Sequence, residues 1–161
     1  MRKKIVLLAM TVMMALTASA QFEEGKSYIG ASFTGLDFNY SGSSKFSGGM
    51  SAQVGYFFLD DLMLLAEGSY QRNGVVKTND FTFGVGGRYY IEQNGIYLGA
   101  NLKYLHNNHN YNDVLPGVEV GYAFFIDGHV TVEPALYYQQ SFKNHSDYSK
   151  VGFRIGFGYT F

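Results

Sequence analysis

From Lys150 to Phe161 the chain reads KVGFRIGFGYTF, and its large apolar residues fall on every second position: Val151, Phe153, Ile155, Phe157, Tyr159 and Phe161. Between them stand Lys150, Gly152, Arg154, Gly156, Gly158 and Thr160. Successive side chains of a β-strand point to opposite faces, so this stretch predicts a strand with one apolar face and one small or charged face. Phe161 keeps the parity of the apolar face, which a frayed tail would have no reason to hold.

Seven earlier stretches alternate in the same way. Ser27 to Tyr40 starts with Ile29, Ala31 and Phe33 on one face and then changes parity to Leu36, Phe38 and Tyr40, as a bulge near Gly35 would require. GGMSAQVGYF sets Met50, Ala52, Val54 and Tyr56 against Ser51, Gln53 and Gly55. LMLLAEGSY sets Leu62, Leu64, Ala66 and Tyr70 against Glu67 and Ser69, with Met63 and Leu65 blurring the pattern. DFTFGVGGRYY is cleaner, with Phe81, Phe83, Val85 and Tyr89 opposed to Thr82, Gly84, Gly86 and Arg88. GIYLGANLKYLH opposes Ile96, Leu98, Ala100, Leu102 and Tyr104 to Tyr97, Gly99, Asn101 and Lys103. In LPGVEVGYAF, Val118, Val120, Tyr122 and Phe124 oppose Glu119, Gly121 and Ala123. In HVTVEPALYY, Val130, Val132, Pro134, Leu136 and Tyr138 oppose Thr131, Glu133, Ala135 and Tyr137, and Pro134 marks a place where the ladder loses a donor.

Short turn-rich joints (FFLDD, IEQNG, FIDGH) alternate with longer polar ones (SGSSKFS, RNGVVKTN, HNNHNYNDV, QSFKNHSDYS). One rim of the sheet is therefore trimmed and the other decorated. VGYFFLDD and VGYAFFIDG share a hairpin design, without a fixed repeat through the chain.

The start of the chain sets the compartment. MRKKIVLLAMTVMMALTASAQ has a basic head, an apolar run from Ile5 to Leu16 and a small-residue exit at Ala18, Ser19 and Ala20, so residues 1–20 read as a secretory signal peptide and Gln21 as the first mature residue. The apolar run is too short for a comfortable membrane anchor. Residues 21–161 then form one domain. The leader holds three of the twelve basic residues and none of the thirteen acidic ones, leaving nine against thirteen, so a nucleic-acid surface is not indicated. With no cysteine in the chain, disulfide, zinc-thiolate and cysteine-nucleophile chemistry are excluded. All 14 Tyr and all 14 Phe fall after the leader, and no later apolar run reaches the length of a membrane helix.

The orientation of the faces follows from volume. A small barrel cannot enclose most of these aromatic and branched side chains, whereas its lumen does fit Gly, Ala, Ser and Thr with six charged residues: Glu67, Arg88, Lys103, Glu119, Glu133 and Arg154. Three acids and three bases balance, and buried charges need partners, so a neutral internal network is expected. Apolar faces turned to lipid require closure, because an open edge leaves backbone groups unsatisfied there. The expected fold is all-β: a closed eight-stranded antiparallel up-and-down transmembrane β-barrel, with both ends at the short-turn, periplasmic rim. Phe57, Phe58, Tyr89, Tyr90, Phe124, Phe125, Tyr137, Tyr138 and Phe161 are placed to form its interfacial girdles. A soluble lipocalin-like barrel binding a small apolar ligand is the alternative, with the apolar faces inside.

With its leader, eight strand runs, alternating joints and closing FRIGFGYTF, the chain resembles the small outer-membrane β-barrel proteins of Gram-negative bacteria, of the eight-stranded adhesion-and-defence and OmpA-barrel kind, and especially the short porin-like proteins of Bacteroidetes. The resemblance implies outer-membrane lipid as environment and recognition of the strand ending at Phe161 by the barrel-assembly machinery; a monomer is expected. It does not identify one activity.

A side-chain-filled lumen argues against a wide pore and leaves structural or loop-mediated surface interaction, at an unidentified surface ligand, as the expected non-enzymatic function. Some barrels of this kind modify lipid A, and the last long joint offers Ser141, His145, Ser146, Asp147 and Ser149, but proximity in sequence is not triad geometry. His106, His109, His145 and Asp113 carry metal-ligating groups, with solvated loop polarity as the simpler account. GVGGRYY lacks the helix of a phosphate-cradling loop. No catalytic, cofactor-binding or metal residue is assigned.

Overall fold

The computed structural model describes residues 22–39, 47–73, 78–91, 95–107, 112–143 and 149–161. Residues 1–21, including the expected leader, lie outside them. Among the described residues nine strand segments form: β1 (Ser27–Asn39), β2 (Ser47–Leu59), β3 (Leu62–Asn73), β4 (Thr78–Tyr90), β5 (Ile96–Asn107), β6 (Asn112–Tyr122), β7 (Phe124–Phe125), β8 (Val130–Gln139) and β9 (Lys150–Thr160). Only Ala123 separates β6 from β7, and both pair with β8. They are one pass. The interruption falls between the pairs Gly121↔Ala135 and Phe124↔Val132, beside Pro134, whose nitrogen has no proton for the ladder. On its other side the Ala123 N–H donates to the Gly95 carbonyl at 2.8 Å, continuing the β5–β6 register past Ile96↔Tyr122.

Counted this way the sheet has eight passes, each antiparallel to its neighbours, and β9 returns to pair with β1. Following partners once around the inner wall leads from Tyr28 through Gly55, Leu65, Gly86, Asn101, Gly117, Gln139 and Lys150 to Asn39. The circuit starts near the beginning of β1 and ends at its last residue. That climb is the stagger a closed barrel of tilted strands requires, so the expected closed eight-stranded antiparallel barrel is the fold.

The alternation puts the apolar set outside. Met50, Val54, Phe83, Val85, Leu102 and Val118 are all exposed, Phe83 by 63%, while Arg88, Glu119 and Glu133 are buried. This arrangement overturns the soluble lipocalin-like alternative, which needs the reverse. The parity change expected at Gly35 is present: the β1–β9 register shifts between Thr34 and Leu36, after which Leu36 pairs with Phe153 and Phe38 with Val151. Tyr40 lies outside the described residues.

Three expectations are corrected. Phe57, Tyr90 and Tyr137 are buried and face inward, and Phe125 is half-buried, so of the anticipated girdle Phe58, Tyr89, Phe124 and Phe161 are exposed outside, with Tyr138 partly covered. The reason is the pleat: of two adjacent strand residues only one can face lipid. Met63 and Leu65, which blurred the third run, point inside, where Met63 is fully buried and Leu65 packs against the same cluster. Finally, β3 runs on to Asn73, β4 starts at Thr78, β5 runs to Asn107 and β6 starts at Asn112, so much of RNGVVKTN and HNNHNYNDV is strand. Polar composition does not end a ladder whose backbone partners continue in register.

The N- and C-terminal passes meet at the short-turn rim, where the Ser27 N–H donates to the Phe161 carbonyl at 2.8 Å and the Phe161 N–H returns to Ser27 at 2.9 Å. Val85→Arg tests the outer wall, since Val85 lies mid-strand on β4, facing outward beside Leu102. In lipid vesicles the variant should lose about 2–4 kcal/mol of unfolding free energy, measured by denaturant titration.

Candidate functional site

The lumen holds one connected polar network to which each of the eight passes contributes a side chain. Arg88 on β4 is its centre: Nε donates to Glu119 of β6 at 2.7 Å, Nη1 to Glu133 of β8 at 3.0 Å, and Nη2 to Gln53 of β2 at 2.9 Å. A planar guanidinium presents donors in fixed directions, which suits it to reach three strands at once. Its Cζ also lies 4.6 Å from the ring centroid of Tyr97. Arg154 of β9 donates to the other Glu119 oxygen and, at 3.5 Å, to Glu67 of β3. Glu67 further accepts from Lys103 of β5 at 2.6 Å and from Gln53 at 3.1 Å. Tyr28 of β1 closes the set by donating to Glu133 at 2.9 Å, and Thr131 adds a second hydroxyl to the same carboxylate at 2.7 Å.

All six charged residues picked out by parity are in this network, and they cancel. Burial of so many charges is tolerable because each carboxylate receives more than one donor. Glycines make the room: a Cβ on Gly99 would stand 2.6 Å from Glu119 Cγ, and one on Gly121 would overlap the Tyr97 ring. Tyr28, Gln53 and Thr131 carried no role in the sequence reading. Parity placed Gln53 and Thr131 on the inner face, yet neutral side chains give no charge balance from which to infer a partner.

Below the network, toward the short-turn rim, Phe57, Met63, Tyr90, Tyr97 and Ala123 form an apolar floor together with Phe22. Phe22 stacks on Tyr90 with ring centroids 3.9 Å apart and planes 21° from parallel. Above the network the wall carries hydroxyl pairs, Ser32 with Ser51 at 2.6 Å and Ser69 with Thr82. Lys150 Nζ donates to Gln71 Oε1 at 2.8 Å near the opposite rim. A cavity lined by Glu67, Gly84, Gly86, Asn101, Lys103 and Glu119 has room for about one water.

The loop constellations do not assemble into reactive sites among the described residues. Ser141 is buried, its hydroxyl donating to Asp113 and its N–H to the Ser149 hydroxyl at 2.9 Å. His145, Ser146 and Asp147 lie outside the described residues, as does His109. His106 is exposed, with Nδ1 2.7 Å from Asn112 Oδ1. Asp113 is buried on the inner side of the wall while His106 faces outward, so the two potential metal ligands are on opposite faces. No group of three or more His, Asp or Glu ligands forms among the described residues.

The network makes a thermodynamic prediction. Glu119→Leu takes one of two carboxylate partners from both Arg88 and Arg154, leaves the network with one excess positive charge, and should cost about 3–5 kcal/mol in vesicle unfolding experiments. Adding Arg88→Met should recover part of the loss, because the network then again balances two acids against two bases, with Tyr28 and Thr131 still donating to Glu133.

Residues 5–161 match the family model described as outer membrane protein beta-barrel domain. No curated protein matches the chain. Among solved structures it is similar to Neisserial surface protein A, at a TM-score of 0.68 and 16% identity over 86% of this chain and 98% of that one. The N-terminal barrel domain of Pseudomonas aeruginosa OprF gives 0.67 and 13% over 86% and 98%, and Yersinia pestis Ail in a phospholipid nanodisc gives 0.59 and 15% over 86% and 100%. These structural likenesses show the shared fold. A family match over nearly the whole chain, on a closed barrel with an apolar exterior, means that the protein belongs to the outer-membrane β-barrel domain family and resides in the cell outer membrane.

Proposed function

We propose that the protein is a non-enzymatic, monomeric surface scaffold: a barrel closed to solutes that anchors its long joints outside the outer membrane for contact with a surface ligand. One observation carries this reading, the network that fills the lumen with a side chain from every pass. A bore spanned by Arg88, from one wall to three other strands, leaves no path for a sugar or an amino acid. The strand ends joined between β1 and β2, β3 and β4, β5 and β6, and β8 and β9 lie at the rim away from the chain ends. With short turns periplasmic, these four face outward. The names of two structural neighbours, a Neisserial surface protein and a Yersinia attachment invasion locus protein, support a surface role. On this reading residues 1–20 direct export and are removed, and β9 is the segment offered to the barrel-assembly machinery.

Two measurements test the proposal. Proteoliposomes should swell in isotonic arabinose no faster than protein-free vesicles, and lipid A from expressing cells should have an unchanged mass spectrum. Rapid swelling would contradict the closed lumen, and a mass shift dependent on the protein would contradict the non-enzymatic assignment. Replacing 144–148 by a Gly/Ser stretch should preserve the heat-dependent gel shift of a folded barrel while reducing binding of protein-bearing vesicles to glycan and matrix-protein arrays. Equal array binding, or none by the unaltered protein, would count against that loop as the contact surface.

A further inference from the structure

Residues Phe22–Lys26 precede β1 and belong to no strand, yet they are fastened to the bottom of the barrel. The Gly25 N–H donates to the Phe57 carbonyl at 2.8 Å, and the Phe57 N–H donates to Lys26 at 2.9 Å. The Glu24 N–H reaches Asp60 Oδ1 at 2.9 Å, and the Asp61 N–H reaches the Phe22 carbonyl at 2.8 Å. All four bonds go to the end of β2 and the β2–β3 turn. They place the Phe22 ring inside the mouth, stacked on Tyr90, with Phe57 at 5.9 Å and Phe125 at 5.3 Å between ring centroids. Glu23, Glu24 and Gly25 are exposed while Phe22 is 7% exposed. A polar segment thus carries one buried aromatic.

The turn that receives this segment is itself unusual. Asp61 has φ of 61°, the one non-glycine residue with positive φ among those described. That conformation is disfavoured for a side chain bearing a Cβ and persists where surrounding contacts hold it. Here the contacts lie on both sides of the same residue: its N–H bonds to Phe22, and its carbonyl accepts the Tyr90 N–H at 2.8 Å. The strained residue therefore joins the two rings that stack across the mouth.

We propose that Phe22–Lys26 is a docked strap whose Phe22 ring is the closure of the periplasmic mouth, separable from the sheet because all its anchoring bonds lie beyond the last β1–β2 ladder pair, Ser27↔Tyr56. When the strap undocks, the floor of Phe57, Tyr90 and Ala123 becomes open to periplasmic solutes while the eight passes stay paired. The charged network above is untouched, so the strap controls access to the aromatic floor rather than passage through the barrel.

The chain contains no cysteine, which makes the test direct. Ala123→Cys places one thiol in the buried cluster that includes Phe22. In reconstituted mature protein this thiol should react slowly with a charged, membrane-impermeant methanethiosulfonate applied to the periplasmic face. Adding Phe22→Ala should raise the rate on the order of tenfold or more, in proportion to the larger open fraction, with the heat-dependent gel shift retained. Asp60→Ala, a change at an exposed turn residue that removes the Glu24 anchor, should raise the rate by a smaller factor. Rapid labelling of Ala123→Cys alone would overturn the proposal, because the mouth would then be open with the strap present. An unchanged rate in both added variants would also overturn it. If Phe22→Ala loses the gel shift, the Asp60→Ala rate decides between the same two results.

Discussion

In hydrocarbon a backbone amide finds no water, so every amide of a membrane-spanning strand must find another strand. The pairing of β9 with β1 meets that requirement for the last two edges, and the rest of the structure depends on this closure. Once the sheet is a cylinder, its inner and outer faces are in different solvents. Each strand then has a fixed meaning for odd and even positions, and a one-residue slip would turn an arginine or glutamate toward lipid. The internal network is thus coupled to register: Arg88 finds Glu119, Glu133 and Gln53 only when four passes are correctly aligned. The charges supply orientation at a desolvation cost, and the apolar exterior and closed ladder supply the environment that makes slippage unfavourable.

Along the axis the lumen changes character in layers. The aromatic floor at the short-turn rim underlies the charge network, whose Arg88 lies over the Tyr97 and Tyr28 rings. Higher up, hydroxyls and amides line a wall that grades into the polar rim. A barrel built this way has little interior left for transport. The joints are the places where sequence can change without disturbing either the ladder or the charge balance.

Much of this was legible because the β period is two. Parity alone placed Glu67, Arg88, Lys103, Glu119, Glu133 and Arg154 inside, and the change of parity after Phe33 located the bulge at Gly35. Parity also contained the information that misassigned residues needed: with Phe58 and Tyr89 outside, Phe57 and Tyr90 had to be inside. Composition worked against that inference, because an aromatic pair at a strand end looks like a girdle when the apolar floor is unknown. Met63 and Leu65 looked irregular for the same reason. Phe22 was less accessible still, since its place depends on hydrogen bonds from the preceding segment to a turn far along the chain. His106 and Asp113 were close in sequence but separated by the thickness of the wall.

The barrel depends on which face of each strand meets lipid, and a nitroxide scan along β4 measures that directly. Single cysteines at positions 81 to 90 of the otherwise cysteine-free protein, spin-labelled and reconstituted in bilayers, should show high oxygen accessibility at 81, 83, 85, 87 and 89 and low accessibility at 82, 84, 86, 88 and 90. The opposite parity would place the aromatic set inside and the charges outside, and absence of any alternation would remove the membrane-spanning strand itself. Either result would contradict the barrel described here.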